Sequence, residues 1–307
     1  MKSIKVPPYL QKGQVIGITC PAGFMAIEKI KDCVDTLHSW GFEVVVGKTV
    51  GSNSQNYFSG TDDERRSELQ AMLDNKSIHA ILFGRGGYGM SRIIDELDFS
   101  QFRKNPKWLI GYSDITVMHN HLLTNYRIAS LHAPMASAFS EQQGSQVAIP
   151  AWRDAVSGKP AKHSCSPSPY NRRGKAKGIL VGGNLSLLAH ITGTASDFET
   201  KGRILFIEDT GEYLYNVDRM LLQLKRTGKF DRLAGLVVGG FTDMKDTERP
   251  FGKSIYKIIS EAVEHYDFPV CFDFPVSHTA DNLPLKVGVG YALQVSSSAT
   301  MLKELRS

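Results

Sequence analysis

The chain has 307 residues, 42% hydrophobic and 22% charged, enough for a packed core in one large domain or two ordinary ones and too apolar for long-range disorder. Its formal net charge of +5 is spread through interspersed acids and bases, which suits a small anionic substrate and is too weak for a nucleic-acid-binding surface. No run approaches the roughly 20 apolar residues of a membrane span, so no membrane association is expected.

The start, MKSIKVPPYLQKGQVIGITC, lacks the apolar core of a signal peptide, and Cys20, Cys33, Cys165 and Cys271 are scattered without a CxxC pair. Free thiols in a reducing compartment, the cytoplasm, are expected. QVIGITC (14–20) reads as a buried strand, and a helical pattern over 25–41 follows and stops at Gly41. FEVVVG (42–47) is the next strand. TDDERRSELQAMLDN opens with Thr61 and Glu64 as a capping box and sets Leu69, Met72 and Leu73 on one face. AILFG (80–84), WLIGY (108–112) and RIASLH (127–132) complete a set of strands separated by helical segments, a pattern that predicts a parallel sheet covered by helices.

SPSPYNRRGKAKG (166–178) predicts a loop or interdomain crossing whose basic residues are solvated. Beyond it, ILVGGNLSLLAHITG, RILFIED, LAGLVVGGF, PVCFDFPVSH and KVGVGYALQV predict a second, strand-rich domain. Its clearest helix spans 215–228, with Val217, Met220, Leu221 and Leu224 on one face and a glycine at its end.

Three chemistries compete for this framework. Gly84, Gly86 and Gly89 fit the G-x-G-x-x-G spacing of a dinucleotide turn, and a strand leads into them. They follow the third strand rather than the first, however, and the next strand ends at Tyr112 and Ser113 without the acidic residue a ribose requires. A turn that lets strand and helix pack closely is the alternative, and no cofactor is expected. A metal site is not expected either. His119 and His121, two apart, face different sides of a helix, while His132 and His278 have no partner at a ligand spacing.

The third chemistry is nucleophilic. WLIGYSDITVMHNHLL reads as strand, tight turn and helix, with Ile115, Met118 and Leu122 on the buried face. Ser113 sits at the turn, presented above the sheet edge beside the backbone N–H groups of a helix start. Ile115 stands where a G-x-S-x-G elbow has its second glycine, and a helix-capping serine is the alternative reading. Glu208 ends an apolar strand, where a carboxylate needs a partner such as Arg219 or a histidine. His278 lies just after another strand, as a satisfied loop residue or a base. Serine, glutamate and histidine at strand ends suit a charge-relay arrangement.

The stretches VIGITCPAG, FSGTDDERRSEL, GRGGYGMSRIID, LIGYSDITVMHNHL, LHAPM, GGNLSLL, FIEDTGEYLYNVDRMLLQL and PVSHTADNLPLKVG occur in this order over nearly the whole chain. In them the sequence resembles the LD-carboxypeptidase family of serine peptidases, which contains muramoyl-tetrapeptide carboxypeptidases and microcin C self-immunity peptidases. The resemblance implies an α/β fold: a doubly wound parallel-sheet domain over 1–140, a crossing over 141–177, and a smaller β-rich domain over 178–307. It also implies a Ser113–Glu208–His278 triad spread over the two domains, and a homodimer.

Glu212 is the alternative acid in the same motif; Glu208 is preferred because a strand end holds a carboxylate more rigidly than a loop. The oxyanion is expected on the backbone N–H of Asp114 and one from the Gly86–Gly87 turn. Arg85 is the candidate for the substrate carboxylate, with a salt bridge to a neighbouring acid as its other reading. Ala133 stands in LHAPM where such proteins more often carry glycine. The expected reaction is removal of terminal D-alanine from a murein tetrapeptide across an L,D bond. A microcin-C-type amidase acting on a peptidyl or aminoacyl nucleotide is the second reading, and a non-catalytic ligand-binding protein the third.

Overall fold

Short β-branched runs alternate with helical segments through the first half of the chain, and each run becomes a strand of one sheet. A computed structural model describes residues 3–140 and 145–305, so the first four residues of the 141–177 crossing lie outside the described residues. β1 (Val15–Thr19), β2 (Glu43–Val46), β3 (Ile78–Phe83), β4 (Trp108–Gly111) and β5 (Ser130–His132) are parallel, in the spatial order β2-β1-β3-β4-β5. The chain reverses direction across the sheet between β1 and β3, the place where doubly wound sheets open a cleft beyond their carboxyl ends. α1 (Lys31–Ser39), α2 (Asp62–Asp74), α3 (Met90–Ile93) and α4 (Thr116–His121) occupy the connections.

Local chemistry accounts for most boundaries. The capping box forms: Thr61 Oγ1 accepts the Glu64 N–H at 3.2 Å, and Glu64 Oε2 accepts the Thr61 N–H at 2.7 Å. Leu69, Met72 and Leu73 are buried as their spacing predicts. The expected helix over 25–41 is shorter, because Ile27–Ile30 is a 3-10 turn whose start has no side-chain cap. The expected strand over 127–132 begins later, since Arg127 adopts a left-handed φ of 54° to end the preceding helical turn.

After α5 (Ala148–Val156), the second half supplies β6 (Lys162–Cys165), β7 (Gly174–Asn184), α6 (Leu185–Ile191), β8 (Ile204–Thr210), α7 (Leu214–Arg226), β9 (Gly235–Thr242), α8 (Ile255–Ala262), β10 (Val270–Cys271), β11 (Leu285–Val287), β12 (Gly290–Val295) and β13 (Thr300–Glu304). Seven of these strands form a second sheet, β10-β9-β8-β7-β12-β13-β6, parallel from β10 to β7 and antiparallel from β7 to β6. β11 instead joins the first sheet, antiparallel to β5.

The stretch 166–178 is not wholly a loop. Gly174–Gly178 are the first residues of β7, where Lys175 and Lys177 point outward and alternate with the less exposed Ala176. α7 buries Val217, Leu221 and Leu224, with Met220 half-buried beside them. α4 is buried on every side, because it packs against β5 and also against α6 and β7 of the second half. That double contact brings the two carboxyl-end regions together.

Candidate active site

β4 is fully buried and delivers the chain to the carboxyl edge of the first sheet. Tyr112 is extended, and Ser113 then takes a φ of 61°, a left-handed conformation uncommon for any residue with a side chain. The 3-10 turn Ser113–Ile115 runs straight into α4. Neither element has a side-chain cap, so no hydrogen bond supports the helix-capping reading of Ser113. Strain of this kind persists only where the surroundings enforce it, and it concentrates at functional turns.

The glycine turn after β3 faces this elbow. A Cβ added at Gly86 would lie 3.0 Å from Ser113 Cβ and 3.1 Å from its Oγ, so only glycine lets the two turns touch. Gly87 holds a φ of 108°, which turns the backbone toward the cleft. Asp114 fastens the two turns: its Oδ2 accepts the Met90 N–H at 2.8 Å. Burial pushes the Asp114 carboxyl up to about 6, against the opposing pull of the Met90 and Gly89 N–H groups and of Arg65. Arg65 is itself completely buried, donates to Pro21 O and Gly89 O, and pairs with Asp62. Arg85 stays exposed, with Nη1 donating to Phe24 O at 2.9 Å. Among the described residues no ion pair engages its guanidinium.

The other half of the site comes from the second sheet. Glu208, completely buried two residues before the end of β8, accepts a hydrogen bond from His278 Nδ1 at 2.7 Å through Oε2. An ionised carboxylate only accepts, so the proton sits on Nδ1 and the Nε2 lone pair is free. Burial draws the His278 pKa down, but the Glu208 hydrogen bond and charge, with Asp209 and Asp243 behind them, outweigh it and leave the pKa above the ordinary 6.5. Tyr112 packs edge-on against the imidazole at 4.9 Å. Its phenol is pushed up to about 12 by burial and the Glu208 charge, so it stays neutral. Glu212 does not reach the ring; it accepts from Ser186 Oγ at 3.2 Å and Asn216 Nδ2 at 3.0 Å.

Ser113 and His278 line one cleft of about 640 Å³, together with Arg85, Gly86, Gly87 and Tyr112. A second lobe of about 380 Å³ opens on the other side of Tyr112 and His278. No hydrogen bond joins Ser113 Oγ to the imidazole among the described residues, an arrangement common in unliganded enzymes, whose catalytic contacts shorten when substrate binds. A larger cleft of about 1490 Å³ lies elsewhere, around Arg127 and Arg203, and contains none of these groups.

Contacts between the two sheets set the separation of Ser113 from its partners. Thr116 Oγ1, one helical turn beyond Ser113, accepts the Asn184 N–H at 3.0 Å, and Asn184 sits beside Glu208 in the β7–β8 register. Gly183 makes the approach possible: its φ is 143°, and a Cβ there would lie 2.4 Å from Thr116 Oγ1. Gly183→Ala should therefore lose about 3–5 kcal/mol of stability by urea unfolding, from strain and overpacking together. Gly252→Ala, at a φ of 81° with nothing within 4 Å, should lose only about 1–2 kcal/mol. Equal losses would show that the Thr116 contact contributes nothing.

Several participants had no signal of their own in the sequence. Arg65, Thr116, Asn184 and Asp209 lie inside stretches that carry the family resemblance, but nothing in their spacing indicates a role. Asp209 is buried, accepts from Asn184 Nδ2 at 2.8 Å and Ser186 Oγ at 2.7 Å, and is pushed up to about 6 chiefly by burial, against the Ser186 hydrogen bond. His119 and His121, the pair two residues apart, are each held by hydrogen bonds away from the cleft. His119 Nε2 donates to Gly111 O and Nδ1 accepts from Ser130 Oγ, both at 2.8 Å; burial, against the Gly111 carbonyl, brings its pKa down to about 4. His121 contacts Ser196 Oγ at 2.9 Å.

The same arrangement of domains occurs in known proteins. Residues 16–133 match the LD-carboxypeptidase N-terminal domain and residues 177–293 the LD-carboxypeptidase C-terminal domain. A Bacillus subtilis protein described as "Probable murein peptide carboxypeptidase" is 31% identical over 300 residues, covering 97% of this chain and 94% of its own. The Escherichia coli microcin C7 self-immunity protein is 28% identical over 332 residues, covering 96% and 94%. The crystal structure of muramoyltetrapeptide carboxypeptidase from Oxalobacter formigenes superposes with a TM-score of 0.86 at 28% identity, covering 95% of this chain and 99% of that one. The chain belongs to the LD-carboxypeptidase family and is a peptidase with carboxypeptidase activity.

Proposed function

We propose that the protein is a serine carboxypeptidase that removes the terminal D-alanine of a murein tetrapeptide by hydrolysing an L,D bond. The observation that carries this reading is the 2.7 Å contact of His278 Nδ1 with buried Glu208, made on a ring that lines the same cleft as Ser113. In it, Ser113 Oγ attacks the scissile carbonyl and His278 Nε2 takes the hydroxyl proton. Glu208 holds the ring in the Nδ1–H tautomer and stabilises the imidazolium. The developing oxyanion lies between the Asp114 N–H and the Gly86–Gly87 turn, and loss of one such donor costs a factor of about 10² to 10³. His278 then returns its proton to the leaving amine, and water releases the acyl group by the same route.

An exopeptidase also needs a cation for the terminal carboxylate. Arg85, on the turn beside Ser113 and in no ion pair among the described residues, supplies a guanidinium suited to bidentate binding. The nucleophile comes from the 1–140 unit, and the acid and base from the 178–307 unit beyond the 141–177 crossing. A homodimer working in the cytoplasm on recycled peptidoglycan fragments completes the reading.

The similarity to the microcin C7 self-immunity protein supports a second reading, an amidase for peptidyl or aminoacyl nucleotides. Assays of purified protein with a murein tetrapeptide and with an aminoacyl-nucleotide conjugate separate the two. Release of D-alanine from the tetrapeptide is expected. Cleavage of the conjugate alone would replace the first reading by the second.

A further inference from the structure

Two of the four cysteines, 106 residues apart in sequence, meet in the fold. β6 and β10 are the outermost strands of the second sheet, at opposite ends of its strand order. Yet Cys165, at the end of β6, and Cys271, at the end of β10, stand Sγ to Sγ at 3.8 Å. The segment between β6 and β7 draws the two edges together. Arg172 and Val270 exchange backbone hydrogen bonds of 2.9 and 3.0 Å, and Asn171 Oδ1 accepts the Phe272 N–H at 2.7 Å. The sheet is thus curled until its ends touch, and the thiols sit at the seam. Cys165 is half-buried, whereas Cys271, Cys20 and Cys33 are buried.

We propose that Cys165 and Cys271 form a redox modification site, which hydrogen peroxide converts to an intrachain disulfide that staples the two edges of the second sheet. Sulfurs in van der Waals contact need only small side-chain rotations to reach a bond of about 2 Å. The Cys165 sulfur, as thiolate, attacks one peroxide oxygen; the O–O bond breaks, leaving Cys165 as the sulfenic acid and releasing one water. The Cys271 sulfur then attacks the Cys165 sulfur, the S–O bond breaks, and the hydroxyl leaves with the Cys271 proton as a second water. Two thiols give up two electrons and two protons in all, and one peroxide becomes two waters.

The division of roles follows from the surroundings. A hydrogen bond from Cys271 lowers the Cys165 pKa below 9.0 against burial, with Thr300 adding to the effect. Cys271 is raised by the same partner and by burial, so it is the resolving thiol. The closed loop contains β7, β8 and β9, including Glu208, and Cys271 lies seven residues before His278. A cross-link over a loop of this length restricts the unfolded chain far more than the folded one.

The test uses the full chain, reduced and then treated with hydrogen peroxide. Two thiols should disappear with the loss of two hydrogens by mass, reversibly with dithiothreitol, and peptide mapping should join the segments containing Cys165 and Cys271. Tm should rise by roughly 5–10 °C on oxidation. Cys165→Ser, at a half-buried position, should fold normally when reduced and lose both responses. Cys271→Ser, which keeps a hydrogen-bond donor beside Cys165 but cannot form the bridge, should instead accumulate a dimedone-reactive sulfenic acid at Cys165. Persistence of all four thiols, a link through Cys20 or Cys33, a link between two chains, or an unchanged Tm in the linked protein would each overturn the proposal.

Discussion

On the proposed mechanism, Ser113→Ala should lower kcat on a murein tetrapeptide by a factor of roughly 10⁴ to 10⁶, the range expected when the nucleophile of such a triad is removed. The loss should be confined to kcat, because Arg85, the glycine turn and the rest of the cleft that the proposed function assigns to peptide binding are untouched. Stability should change by less than about 1 kcal/mol, since alanine meets the same left-handed φ of 61° that serine already tolerates and no side-chain cap is lost. A cavity-free fold with an empty nucleophile position is therefore the expected product. Thermal unfolding and a D-alanine release assay on the same preparation decide the matter. A variant that retains even a tenth of the activity would remove Ser113 from the mechanism.

Glu208→Gln separates positioning from folding. The amide has the shape of the carboxylate but can donate to Nδ1, which moves the ring proton to Nε2 and leaves no base toward Ser113. A loss of about 10³ to 10⁴ in kcat is expected, as for the equivalent change in other triads. The pH profile gives a second reading. His278 must be neutral to accept a proton, so the acid limb of kcat/KM should lie above pH 6.5, where the raised pKa places it. Without the Glu208 charge, burial dominates the imidazole, and the limb should move to lower pH. The stabilisation that charged His278 gains from Glu208 is present below pH 6.5 and fades as the pH rises through the raised value. A limb that stays in place in the glutamine variant would mean that another group titrates. The same variant at Glu212, which contacts Ser186 and Asn216 rather than the ring, should leave the limb unchanged.

Much of the first sheet was legible because its signals are local. Buried parallel strands must be continuously apolar, as in AILFG and WLIGY, and the Thr61–Glu64 box forms wherever that spacing precedes an apolar helix. The errors fell where a local signal served a distant partner. GKAKG looked like a solvated loop, yet it pairs with β12 and exposes its lysines on one side of an antiparallel ladder. The sequence around α4 suggested one buried face, whereas the helix is enclosed on all sides by two units. The four cysteines looked unrelated because sheet curvature, which brings Cys165 to Cys271, has no expression in spacing.

For the site, the residue types and their places near strand ends were readable: Ser113 after β4, Glu208 near the end of β8, His278 after β10. Those positions follow from hydrophobic patterning, which acts over a few residues and is written directly in the chain. The preference for Glu208 over Glu212 rested on the rigidity of a strand against a loop, and it is Glu208 that contacts the ring. Only the tertiary structure puts the Glu208 carboxylate on Nδ1, sets Gly86 against Ser113, and docks Thr116 on Gly183 so that the two sheets share one cleft. Those contacts join residues tens of positions apart, and their geometry depends on the packing of whole layers rather than on any neighbour in sequence.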